Sequence, residues 1–203
     1  MDIKAHWERI YTSKATDEVS WFELTPTTSI RLIEAANVGP STSVIDVGGG
    51  DSRLVDYLVA KGVGRVVVLD ISGVALARAK ARIGPRQDAV NWIEADVIGD
   101  WSIEPVDIWH DRAVFHFLTD VHDRARYISK LRTFLKPGGS LIIATFALDG
   151  PPACSGLPVR RYSPETLLEE LGSDLVLEET VREQHATPAG DQQSFVYCRF
   201  RRC

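Results

Sequence analysis

The sequence predicts an α/β fold built on a doubly wound, mainly parallel sheet. Three observations predict it: from residue 41 short β-branched runs alternate with longer helical stretches, the first run ends in Gly48-Gly49-Gly50, and the second ends in Asp70. Ser43 to Val47 forms the first strand, and residues 53–61 read as an amphipathic helix stopped by Gly62. The near-continuous valine run from Arg65 to Leu69 has the look of a strand buried on both faces. Ser72 then caps a helix that runs to Ile83, before the Gly84-Pro85 break. Val90 to Glu94 and Val106 to His110 make the third and fourth strands. A helix over 121–135 is stopped by Pro137-Gly138-Gly139, and Ser140 to Phe146 is the fifth strand. A short helix starts at Ser163-Pro164-Glu165, where Pro takes the first helical position. The apolar runs 175–179 and 195–200 close one sheet edge as a hairpin, with a long polar loop around His185 to Gln193 between them.

Residues 1–40 have little strand pattern, yet they crowd His6, Trp7, Tyr11, Trp21 and Phe22. They read as one or two helices laid over the sheet, their aromatics serving either packing or a ligand. No repeat, low-complexity tract or linker interrupts the chain, so residues 1–203 are expected to form one domain with 1–40 as its cover.

The composition narrows the function. With 203 residues and a formal net charge of −5, the chain can bury a full core but shows no basic face for a phosphate backbone, so nucleic acid is not expected as a partner. No apolar run approaches the ~20 residues of a membrane span, and a cytoplasmic protein is expected. Cys154, Cys198 and Cys203 lack metal or redox spacing, and the histidines form no i, i+4 pair on a helix, so no metal site is expected.

The glycine turn carries the chemistry. Glycines at a strand end let the backbone turn sharply and let a bulky ligand approach the main chain. Asp70, 20 residues beyond Gly50, stands where a carboxylate accepts hydrogen bonds from both hydroxyls of a ribose. A dinucleotide fingerprint needs a third glycine where this chain has Arg53, which disfavours a nicotinamide-dependent oxidoreductase. Asp46 would repel a pyrophosphate and attract a cation. A cationic nucleoside fits better. At the end of the third strand, Asp96 in Glu94-Ala95-Asp96-Val97 can accept from an adenine amino group.

In this order and spacing, the glycine turn, Asp70, Asp96 and Lys136-Pro137-Gly138-Gly139 resemble the class I S-adenosylmethionine-dependent methyltransferases over residues 40–146. The resemblance implies a Rossmann-like, seven-stranded sheet in the order 3-2-1-4-5-7-6 with the last strand antiparallel, and S-adenosylmethionine as cofactor. It places Gly48, Gly49 and Gly50 along the methionine and ribose, Asp46 near the ammonium, Asp70 with neighbouring Ile71 at the ribose, and Asp96 with Val97 at the adenine. A narrower resemblance, in Trp7, Tyr11, Trp21-Phe22 and Asp70-Ile71-Ser72, is to bacterial relatives of the elongation-factor and citrate synthase lysine methyltransferases, which lay an aromatic N-terminal helix over the cofactor. Asp111-Arg112-Ala113-Val114-Phe115-His116 departs from the D-K-G-T-x-D of those enzymes, which removes the main reason to expect a protein lysine. Thiopurine and tellurite methyltransferase types carry similar N-terminal aromatics and act on small soft nucleophiles. The acceptor is therefore either a small molecule or a protein side chain. A non-catalytic S-adenosylmethionine-binding module is a further alternative.

Methyl transfer from a sulfonium requires alignment in a dry site, and a base only when the acceptor carries a proton. The candidates lie at the ends of the fourth and fifth strands: Asp111 is the first choice to contact acceptor or methionine, His116 is either a base or a hydrogen-bonded wall residue, and His110 either packs or acts.

Overall fold

The computed structural model describes residues 2–203. Seven strands form the main sheet: β1 (Ser43–Val47), β2 (Arg65–Asp70), β3 (Val90–Glu94), β4 (Val106–Arg112), β5 (Leu135–Phe146), β8 (Leu175–Ala186) and β9 (Gln192–Arg202). Their order is β3-β2-β1-β4-β5-β9-β8, with β9 antiparallel to both neighbours and the β1 to β5 pairings parallel. The order and the antiparallel last strand are those expected. Two strands absent from the sequence reading, β6 (Ala153–Cys154) and β7 (Leu157–Pro158), pair as a small separate ladder. At two residues each they are too short to show a pattern.

Parallel neighbours need crossovers, and helices α3 (Leu54–Ala60), α4 (Gly73–Ile83) and α5 (Val121–Phe134) supply three of them. Ser72 caps α4 by accepting from the Ala75 N–H, and Ser163 caps α6 (Pro164–Leu171) through the Thr166 N–H. Successive strand residues point to opposite faces, so each strand feeds two cores. Ile45, Val67 and Trp109 join Tyr127 of α5 and Leu167 of α6 on one face; Val44, Val66 and Ile108 join Leu32, Leu54 and Leu76 on the other. All five residues of β1 are buried, as a central strand covered on both sides requires.

Three boundaries differ from those expected. β4 continues to Arg112, so Asp111 lies inside a strand. β5 starts at Leu135, because a register shift opposite Val106 and Ile108 lets the Pro-Gly-Gly stretch stay in the sheet. The hairpin strands are 12 and 11 residues long, which leaves only residues 187–191 as the loop. Charges stand on both faces of edge strand β8, Glu178 and Arg182 on the exposed one and Glu179 and Glu183 on the half-buried one, which hides its period.

Helices α1 (Ile3–Ser13) and α2 (Thr27–Ala35) precede the first strand. Asp2 caps α1 through the Ala5 N–H. Glu8 ties α1 to the start of α4, accepting from Gly73 N (2.8 Å), Ser72 Oγ (3.1 Å) and Val74 N (3.3 Å). A carboxylate at a helix N-terminus satisfies orphan donors and opposes the positive end of the dipole. Glu8→Ala should cost about 1 kcal/mol in urea denaturation. No helix among the described residues is long and apolar enough to cross a membrane.

Candidate active site

The carboxyl ends of β1, β2 and β4 open into a cavity of about 330 Å³ roofed by α1. Its wall includes Gly48, Asp70, Ile71, Asp96 and Val97 from the sheet side, and Trp7, Tyr11 and Trp21 from the cover. Gly48 takes φ +65°, and a Cβ there would lie 2.0 Å from Val114 Cγ2; Gly50 takes φ +50°, with a Cβ site 2.6 Å from Tyr11 Oη. Both positions need the missing side chain as well as the left-handed backbone. The Gly48 and Gly49 N–H groups donate to Leu69 O, which fixes the turn against β2.

Asp70 is buried at the tip of β2, its Oδ1 accepting from Ser72 N at 2.8 Å. Burial pushes its carboxyl up to about 7, against the pull of the Ser72 and Gly50 N–H groups and with a further push from Asp46 and Asp51. Asp96 is exposed and uses Oδ1 to accept from Ile98 N. Trp7 meets Trp21 and Phe117 edge-on, and Tyr11 meets Trp21 likewise, so the roof aromatics form one interlocked set.

A smaller space of about 50 Å³ adjoins the first through Tyr11, Trp21, Gly48 and Arg112, and is lined by Asp46, Gly49 and Arg53. Here Asp46 has a partner that the sequence did not disclose. His110 Nδ1 lies 2.7 Å from Asp46 Oδ1, and His110 Nε2 lies 2.9 Å from Ser29 Oγ on α2. All three are buried, so this chain of polar groups fixes α2 against β1 and β4.

The first-choice catalytic residues do not reach either cavity. Because β4 continues to Arg112, its pleat puts Trp109 and Asp111 on the α5 face, and His110 and Arg112 on the other. Asp111 is fully buried: it accepts from Val114 N (2.9 Å), Phe115 N (3.2 Å) and Tyr127 Oη (2.6 Å), and Tyr127 in turn accepts from Trp109 Nε1. Burial raises its carboxyl to about 6 despite those donors. His116 is also fully buried; Phe146 N donates to its Nδ1, and burial together with Arg112 lowers it to about 3. It is a neutral imidazole behind the wall. His185, expected in the loop, lies in β8 with Nε2 2.8 Å from Ser20 O.

Arg112 takes the place intended for Asp111. Its Nε donates to Tyr197 Oη (2.9 Å) and lies 3.3 Å from Glu23 Oε2, its Nη1 donates to Trp21 O, and its guanidinium covers the Phe195 ring. Burial raises the Glu23 carboxyl, and Arg112 opposes that rise. Glu23, Glu183 and His185 have ligand atoms within 4.8 Å of one another, but Arg112, Thr28 and Ser20 respectively already engage them. Phe117, Phe146, Gln193 and Phe195 complete the wall. The sequence carries no local signal for these, since they converge from three separate segments.

Residues 45–141 match a family model described as a methyltransferase domain. A curated relative, the lovastatin diketide synthase mokB of Monascus pilosus, is 26% identical over 117 residues, a stretch that takes in 54% of this chain and 5% of that protein. The chain thus spans a small part of that relative's length. An S-adenosylmethionine-dependent methyltransferase from Anabaena variabilis superposes with a TM-score of 0.79 at 14% identity, covering 100% of this chain and 96% of that one. The N-methyltransferase NodS from Bradyrhizobium japonicum, in complex with S-adenosylhomocysteine, gives 0.74 at 19% identity, with 96% and 97% covered. The Burkholderia thailandensis 1,6-didemethyltoxoflavin-N1-methyltransferase, with 1,6-didemethyltoxoflavin and S-adenosylhomocysteine bound, gives 0.73 at 20% identity, with 99% and 89% covered. The matched segment holds the glycine turn, Asp70 and Asp96; over it the chain is similar to a methyltransferase domain, and the three solved structures share its fold.

Proposed function

We propose that the chain transfers the cofactor's methyl group to a small, flat acceptor that bears an unprotonated nucleophile. The observation that carries this reading is a cavity walled by Trp7, Trp21, Phe117, Phe146 and Phe195, with both expected bases behind its wall. Bound S-adenosylmethionine supplies an activated methyl on a sulfonium, so the protein's task is to bind, orient and exclude water. The glycine turn fits the methionine and ribose, with Asp46 at the ammonium. Asp70 and Ile71 fit the ribose, Asp96 and Val97 the adenine, and Trp7, Tyr11 and Trp21 roof the site.

A lysine acceptor would arrive as an ammonium with a pKa near 10.4 and would need a base. A ring nitrogen or soft sulfur arrives with its lone pair free, and aromatic walls suit a flat molecule carrying it. That one fold neighbour binds 1,6-didemethyltoxoflavin is in keeping with such an acceptor. The partner is therefore a small molecule rather than a protein or nucleic acid. Three free thiols, Cys154, Cys198 and Cys203, suit the reducing cytosol, where we place the protein.

Incubation with methyl-labelled S-adenosylmethionine and cell extract, followed by separation by size, tests the reading. Label is expected in the small-molecule fraction. Label in a protein band overturns the small-acceptor reading, and no label despite cofactor binding replaces it with a binding module.

A further inference from the structure

Two residues of the cavity wall carry a buried polar atom with no hydrogen-bond partner among the described residues: Nη2 of Arg112, a donor, and Oε1 of Gln193, an acceptor. Gln193 is 9% exposed, and its Oε1 bonds to no group among the described residues. Buried polar groups are otherwise almost always paired, and leaving one unpaired costs about 1–3 kcal/mol. The two belong to one surface. The pleat of β9 puts Gln193, Phe195 and Tyr197 on a single face at intervals of about 7 Å, and Arg112 lies on that face, bonded to Tyr197 and covering Phe195.

We infer that Arg112 and Gln193 are the specificity-determining pair for the acceptor, and that they read the lactam-type edge of a neutral heterocycle. Arg112 donates from Nη2 to a ring carbonyl oxygen; Gln193 accepts at Oε1 from a ring N–H. This rests on the flat-acceptor reading and narrows it. Charge decides between a carbonyl and a carboxylate. Glu23 already lies 3.3 Å from the guanidinium, and Glu183 is joined to it through Tyr197 Oη at 3.4 Å. The single positive charge is thus already engaged by the Glu23–Glu183 pair, whose carboxyls also bond to each other. A further anion would have to compete with that pair for the charge, whereas a neutral carbonyl takes the free N–H without that competition.

Three probes of similar size separate the alternatives when titrated calorimetrically into the S-adenosylhomocysteine-loaded protein: 2-quinolone, quinoline and quinoline-2-carboxylate. We expect 2-quinolone to bind about tenfold tighter than either of the others, since only it satisfies both buried atoms. Gln193→Leu should shrink that preference to about threefold or less while leaving S-adenosylhomocysteine affinity and the melting temperature near their original values. Arg112 anchors Trp21, Tyr197 and Glu23, so Gln193 is the cleaner site to vary. Equal binding of quinoline, tightest binding of the carboxylate, or an undiminished preference in Gln193→Leu overturns the inference and leaves the flat-acceptor reading standing. Failure of all three probes to bind a protein that still holds S-adenosylhomocysteine overturns both.

Discussion

Asp70→Asn will weaken S-adenosylhomocysteine binding at least about 30-fold and at the same time stabilise the cofactor-free protein in alkaline solution. The first effect follows from charge and geometry. Asp70 Oδ1 is held by Ser72 N and the Gly50 N–H also reaches the carboxyl, which leaves its remaining lone pairs to accept from the ribose hydroxyls, and hydrogen bonds to a charged acceptor are worth about 1.5–3 kcal/mol each. The second follows from the carboxyl's rise from 3.8 to about 7 on burial. A carboxyl raised in the folded state binds its proton more tightly there than in the unfolded chain. Stability therefore falls as pH climbs from about 4 through 7, by on the order of 4 kcal/mol at full ionisation. Asparagine cannot ionise, so urea denaturation should show the variant gaining stability at pH 8 and losing that gain at pH 4. Calorimetry should also show wild-type affinity rising between pH 6 and 8, because the diol prefers the ionised acceptor, and a flat profile for Asn. A variant that binds as tightly as wild type removes Asp70 from the ribose site.

Asp111→Ala has the larger structural effect. It strands three donors, the N–H groups of Val114 and Phe115 and the Tyr127 hydroxyl, around a carboxyl that is itself fully buried. The loss is about 3 kcal/mol, or a melting temperature lower by roughly 6–12 °C for a chain of this size. Turnover per folded molecule at low temperature should stay within about threefold of wild type, whereas a true general base contributes 10²-fold or more. A collapse of kcat in a protein of unchanged stability would return Asp111 to the reaction.

How far the sequence discloses this site depends on where each residue's information lies. The turn at Gly48 and the acid at Asp70 are adjacent in sequence to the strands that place them, and the strand order follows from βαβ connections that have few alternatives. Asp111 shows where that ends. Strand pattern located it near the end of β4, but one or two residues of strand length decide the face on which it stands, and polar His110-Asp111-Arg112 gives no apolar period to count. Arg112, Phe146 and Gln193 meet only because β4, β5 and β9 are neighbours in the sheet. Asp46 gains His110 and Ser29 by the same cross-strand and helix-to-sheet contacts, which no local spacing encodes.

The anchors of the α1 roof have a consequence for the order of events during folding. The groups that hold it are distant along the chain: Ser72, Gly73 and Val74 are 64 to 66 positions from Glu8, and Ser155 O is 149 from the His6 ring that contacts it. β1 and β2, by contrast, close between Ser43 and Arg65. Entropy favours the shorter closures first, so β1, β2 and β3 pair around Asp70 before its roof has anything to dock on. The last element to arrive by polar contacts of this kind is also the cheapest to release. Loading and unloading of the cofactor can thus proceed by partial reversal of the final folding step, with the strands that carry Gly48 and Asp70 staying in register throughout.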